Sequence, residues 1–294
     1  MSALTRPRGF IQWSPRRDTA ALVGAAKTVL AEYHDHLPLT LRQIFYRLVG
    51  TGLLGKTERD YKRLGETLNK ARRAGLVPFA AIRDDGAAVK GGDVFRDRQD
   101  VLDYLAAFSR GVQLDRQAGQ TRRLVIWCEA GGMVPQLERV GRPYSIPVIS
   151  SGGFDSVTVK HAQAMALGEF PTIVLHIGDH DPSGIHVFES LAADVNAFIS
   201  GAAGLKFPIE FVRLAVTVDQ AHSHRLPSAP PKPTDRRRFE GCETWQVEAL
   251  PPDILASILA DAIRARIDES IRDEVVSAEA ALAAELAEQL GALV

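Results

Sequence analysis

The chain is 294 residues long, 46% hydrophobic and 24% charged, which leaves room for two compact domains of roughly 100 to 200 residues each and excludes disorder and collagen-like repeats. The formal net charge of -1 conceals a division: of 35 Lys+Arg and 36 Asp+Glu, residues 1–123 hold 22 and 13, a net of +9, and residues 124–294 hold 13 and 23, a net of -10. Such asymmetry suggests a nucleic-acid-facing half joined to an acidic half, although opposite charges also bind each other.

Two cysteines, Cys128 and Cys242, make at most one bridge, and no apolar run reaches the ~18 residues of a membrane span. The first residues are basic but lack the apolar core of a signal peptide, so a reducing, cytoplasmic location is expected.

Helical spacing runs over residues 18–35 and stops at Pro38. A second helix is predicted from a Thr40 cap through LRQIFYRLV to Gly50, and a third, basic one from a Thr57 cap to Gly75. Two helices with a tight Gly-containing connection, followed by LVPFAAIRDDG as a wing, read as a helix-turn-helix of the winged type. Residues 76–123 read as a polar, basic connector with one helix, VFRDRQDVLDYLAAFSR. Beyond it, apolar strands at 124–129, 146–150, 172–178 and 208–216 alternate with helices at SVTVKHAQAMAL and PSGIHVFESLAADVNAFI, the pattern of a parallel sheet covered on both faces. Residues 222–243, rich in Pro and Arg, read as an irregular loop, and the tail from Pro251 as helical.

In open α/β sheets ligands gather at the carboxyl ends of the strands. Glu129 ends the first strand, and Asp179 and Asp181 follow the third in GDHDPSG. Three carboxylates at two strand ends suit a hard cation such as Mg²⁺, although Asp181 also fits a helix cap. His176, His180 and His186 lie near these acids, and His222 and His224 form an H-x-H pair, but no C-x-x-C or H-E-x-x-H occurs to make a zinc site. His180, between the two aspartates, is within reach of a phosphate.

In the helix from Thr40, Leu41, Ile44, Phe45 and Leu48 make the core stripe and Tyr46 falls outside it, one turn after Arg42. Periodicity alone describes a rim tyrosine with a packed ring and a wet hydroxyl. A phenol of pKa near 10 needs a nearby cation before it is a useful nucleophile.

R-x-x-x-Y in RQIFYR, together with VIWCE and then IGDHDPSG, resembles topoisomerase VI A subunits and their meiotic double-strand-break relatives, in the same order, over roughly residues 36–265. The resemblance implies an N-terminal winged-helix (CAP-like) domain over 1–123 and a Toprim domain with a helical tail over 124–294. It implies that Tyr46 attacks a DNA phosphodiester and stays joined to the 5′ end, that Arg42 steadies the phosphate, and that Glu129, Asp179 and Asp181 hold Mg²⁺, or Mn²⁺ in its place. Family members are homodimers in which one subunit's tyrosine is completed by the other's acids, acting on double-stranded DNA at the nucleoid. Ala130-Gly131-Gly132 stands where the family often has a lysine, and no G-x-x-x-x-G-K-[ST] ATP site occurs, so an ATPase would be a separate partner. In this it looks more like the minimal, orphan "mini-A" proteins of bacteria and their mobile elements.

The third helix carries Arg59, Lys62, Arg63, Asn69, Lys70, Arg72 and Arg73 as expected DNA contacts, mostly to phosphate. Arg236, Arg237 and Arg238 would extend that grip or pair with the acidic half. Two other readings remain: a Toprim-type nuclease that hydrolyses DNA while Tyr46 is structural, and a DNA-binding regulator that does not cleave.

Overall fold

The computed structural model describes residues 11–83, 93–150, 157–201 and 207–291, except 234, 236 and 238. It is a mixed α/β structure of helices and parallel strands.

The basic half begins with α1 (Arg17–Glu32) and β1 (Leu39–Thr40), which leads directly into α2 (Leu41–Gly50). Thr40 caps α2 reciprocally: its hydroxyl accepts from the Gln43 N–H at 3.1 Å while the Gln43 side chain accepts from the Thr40 N–H at 2.8 Å. Gly52, at φ 75°, supplies the left-handed residue that lets the chain fold back after α2, with the Leu53 N–H returning to the Leu48 carbonyl at 3.1 Å. Thr57 caps α3 (Glu58–Arg73), whose Glu58 and Asp60 fall in the first turn and whose Lys70, Arg72 and Arg73 fall in the last, matching the helix dipole. Of the segment expected to form a wing, Ile82–Arg83 is a strand, β2, that pairs parallel with β1; Asp84, Asp85 and Gly86 lie outside the described residues. The connector helix is α4 (Arg98–Arg110), starting four residues later than its apolar pattern because the Asp97 side chain caps it.

The second half is a four-stranded parallel sheet of β3 (Arg123–Cys128), β4 (Val148–Ser150), β5 (Thr172–Ile177) and β6 (Glu210–Ala215), in the order β4-β3-β5-β6. Alternation along β3 and β5 sorts the core. Leu124, Ile126, Cys128, Ile173, Leu175 and Ile177 face one side, with residues of α5 (Val134–Gly141), α9 (Pro252–Arg264) and the basic half. Val125, Trp127 and Val174 face the other, against α6 (Val157–Leu167) and α7 (Pro182–Gly201). The first of these clusters runs without a break from Leu22 and Leu48 to Leu259, across residue 124. A last helix, α10 (Glu269–Gly291), packs along α4 and is tied there by Arg116 and Glu279, 2.5 Å apart.

Two helices differ from the sequence reading. α5 follows the glycines after Glu129, where a loop pattern hid it, and α8 (Val218–Ser223) takes the first two residues of the stretch read as irregular. That stretch is also pinned by a backbone bridge between Ala229 and Thr244.

Candidate active site

The chain leaves β3 toward β4 on one side and leaves β5 toward β6 on the other, so the crevice between the carboxyl ends of β3 and β5 is the switch point of the sheet. Glu129 and Asp179 stand on its two edges, and the Asp179 N–H donates to Glu129 Oε2 at 3.3 Å. Two glycines make this approach feasible. A Cβ on Gly178 would lie 2.7 Å from the His176 ring and 2.9 Å from Glu129 Oε2, and one on Gly184 would lie 2.3 Å from the Asp179 carbonyl oxygen.

The three acids are not equivalent. Asp181 caps α7, its Oδ1 accepting from the Gly184 N–H at 2.7 Å. Asp179 Oδ1 accepts from the Val247 N–H at 2.8 Å. Burial raises the Asp179 carboxyl to about 7 against that hydrogen bond, with the charges of Glu129, Asp181 and Glu248 adding to the rise. Glu129 is raised as well, again chiefly by burial. The opposing charge is Arg213 of β6, whose guanidinium donates to the carbonyls of Gly178, Asp179 and Gly184 and is itself lowered by burial while the acids hold it up. Arg213 was not singled out from the sequence; the available signal was a lone cation in the apolar run PIEFVRLAV.

No group of three or more His, Cys, Asp and Glu side chains among the described residues is gathered closely enough to hold a metal unaided. The donors are nonetheless oxygens, the type a hard cation takes, on Glu129 and Asp179, whose carboxyls are raised chiefly by burial, with neighbouring acids adding to the rise. His176 is packed on the Phe188 ring, with ring centroids 4.8 Å apart, and its pKa is lowered to about 3 by burial and by Arg213, so it is neutral. His180 lies between the rings of Phe239 and Trp245, at 5.5 and 5.7 Å, and His222 meets Trp245 at 5.5 Å. His186 and His224 are exposed.

Tyr46 differs from its sequence reading. Its side chain is 4% exposed, and its hydroxyl donates to Gln246 Oε1 instead of meeting water. Burial, with the carboxylates of Asp179 and Glu248, drives its pKa upward against the pull of Arg42, so the phenol is neutral. Lys56 Nζ stands 5.7 Å from the ring centroid and donates to the Pro227 carbonyl at 2.9 Å; burial lowers its pKa, and Asp179 opposes that. Arg42 contacts Glu248, Nη1 to Oε2 at 3.4 Å, and the other carboxylate oxygen accepts from Thr40 Oγ1 at 2.8 Å.

Tyr46 and Asp179, more than 130 residues apart in sequence, therefore meet within a single chain, joined by the short segment Gln246–Ala249. Gln246 takes the Tyr46 hydroxyl, the Val247 N–H takes Asp179, Glu248 takes Arg42, and the Ala249 carbonyl takes Arg47. The sequence reading passed over this segment, although Glu248 is an acid between apolar residues just before a helix, a position that requires a buried partner.

On α3, Arg59, Lys62, Arg63, Asn69 and Lys70 are exposed, with Lys62 paired to Glu58 at 2.7 Å and Asn69 accepting from Arg73 at 2.8 Å. Arg72 turns inward, 4.9 Å from the Phe79 ring centroid, and donates to the Phe79 and Ile82 carbonyls. Arg237 pairs with Asp235 at 3.0 Å, and Arg236 and Arg238 lie outside the described residues. No helix among the described residues is long and apolar enough to cross a membrane.

No protein-family model matches the chain, and no curated protein matches it significantly.

Proposed function

We propose that the protein is a DNA-cleaving transesterase of the topoisomerase VI A type, with a winged-helix half that grips duplex DNA and a Toprim half that holds the divalent cation. The observation that carries this reading is the convergence of Tyr46, Arg42 and Asp179 on one short segment, within one chain where the resemblance implied completion by a second subunit. Tyr46 Oη attacks the phosphorus, the P–O3′ bond breaks and the departing 3′ oxygen takes up the proton that the phenol gives up, which leaves a 5′-phosphotyrosyl bond. Arg42 holds a non-bridging phosphate oxygen. Glu129 and Asp179, with Asp181 at the rim, would hold Mg²⁺ or Mn²⁺, which when bound supplies charge neutralisation at the phosphoryl oxygens. Arg59, Lys62, Arg63 and Lys70 form the exposed phosphate-binding face, and Asn69, Arg72 and Arg73 support it through their contacts within and beyond α3. In a homodimer each copy would cut one strand. The setting proposed is the cytoplasmic nucleoid, with any ATPase a separate partner.

The test uses supercoiled plasmid with Mg²⁺ or Mn²⁺, a detergent quench, and mobility compared before and after protease. The expected product is cut DNA carrying protein, lost in Tyr46→Phe. The burial of the Tyr46 hydroxyl favours a second reading, a Toprim nuclease that uses activated water. Linear DNA with protein-free 5′ ends, made equally by Tyr46→Phe, would establish that reading instead.

A further inference from the structure

Glu248 is 6% exposed, yet its contacts are with groups that an apolar residue could not serve. One carboxylate oxygen accepts from the Thr40 hydroxyl at 2.8 Å and the other faces Arg42 Nη1 at 3.4 Å. Thr40 is the cap of α2, the helix that carries both Arg42 and Tyr46, so this carboxylate is fixed to the helix at its first turn. The Arg42 side chain remains 46% exposed, so its guanidinium is accessible from solvent while one edge is engaged by an internal anion. A guanidinium presents a fork of donors that fits a carboxylate and a phosphate alike. On either side of Glu248, the Val247 N–H holds Asp179 and the Ala249 carbonyl holds Arg47, which keeps the carboxylate from following Arg42 if that side chain moves.

We propose that Glu248 is a positioning residue that aims Arg42 beside Tyr46 and stands in for the DNA phosphate until a duplex displaces it. This rests on the reading of Arg42 as a phosphate contact. A phosphodiester arriving at Arg42 competes with the Glu248 carboxylate, so wild-type affinity for DNA is the difference between the two interactions. Removing the charge on Glu248 then strengthens DNA binding through Arg42 while loosening the aim of Arg42 at the scissile phosphate. A residue with only a structural role would weaken binding or leave it alone.

The experiment measures binding of a labelled duplex oligonucleotide by fluorescence anisotropy, without divalent cation, for the wild type, Glu248→Gln, Glu248→Asp, Arg42→Ala and the double variant Arg42→Ala/Glu248→Gln. Glu248→Gln keeps an oxygen for Thr40 and is expected to bind about fivefold tighter, the scale of one partly screened ion pair. Glu248→Asp, whose shorter side chain draws the charge back from Arg42, gives a smaller gain in the same direction and serves if the Gln variant melts early. The gain disappears in the Arg42→Ala background. Unchanged or weaker binding by folded Glu248→Gln, or a gain that persists without Arg42, overturns the proposal and leaves the cleavage reading standing. Failure of the wild type to bind duplex DNA overturns both.

Discussion

At the scale of single residues, the site is governed by what burial does to its charges. The Asp179 carboxyl moves from an ordinary 3.8 to about 7, so between those values the folded chain holds a proton that the unfolded chain has lost. Stability should therefore fall as pH rises through that window and level off above it. Comparison with Asp179→Asn isolates the effect: in chelator, the variant should unfold at higher urea than the wild type at pH 8, by on the order of 2 kcal/mol, with the gap closing toward pH 5. Adding Mg²⁺ at pH 8 should raise the wild type and leave the variant in place; a gap independent of both pH and Mg²⁺ would refute the assignment of Asp179. Here the sequence was informative about identity and silent about state. The carboxylates at the strand ends were legible because strand periodicity tells where a strand stops. The burial of the Tyr46 hydroxyl was not, because its partner comes from 200 positions away and periodicity sees only one helix.

At the scale of elements, the turn from β5 into α7 is tightly constrained backbone, since Gly178 and Gly184 have no room for a methyl group. Gly184→Ala would drive its Cβ into the Asp179 carbonyl, and the resulting overpacking should cost about 1–3 kcal/mol in urea unfolding and displace both Asp179 and Glu129. Gly24, where the same Cβ meets nothing within 4 Å, is the control expected to tolerate alanine. The α3 cap at Thr57, the four strands and the two long sheet-covering helices were all visible as patterns, because each combines a cap or a turn signal with a sustained period. α5 was hidden for a physical reason: eight residues opened by Gly131 and Gly132 give too few turns for a period to emerge, and its stability comes from packing on α9. The two-residue strands Leu39–Thr40 and Ile82–Arg83 were equally invisible, since their pairing is a property of the assembled chain.

At the scale of the whole molecule, the charge division has two uses. Part of it is spent internally: Arg42 on Glu248, Arg116 on Glu279 and Arg122 on Glu210 all join the basic half to the acidic one. The remainder, on the exposed face of α3, stays available to an external polyanion. The unbroken core across residue 124 has the same sense, because it couples the helix bearing the tyrosine to the sheet bearing the acids as one body. The convergence of Tyr46 and Asp179 within one chain also carries a genetic consequence. If the nucleophile of one copy worked with the acids of another, a mixture of Tyr46→Phe and Asp179→Asn proteins would contain some intact sites and recover part of the cleavage. Under the proposed function, a site whose parts belong to the same polypeptide gives no such complementation, unlike the shared site the resemblance implied, so plasmid cleavage by the mixture should stay at the level of the two variants alone, and two defective alleles should not rescue one another in a cell.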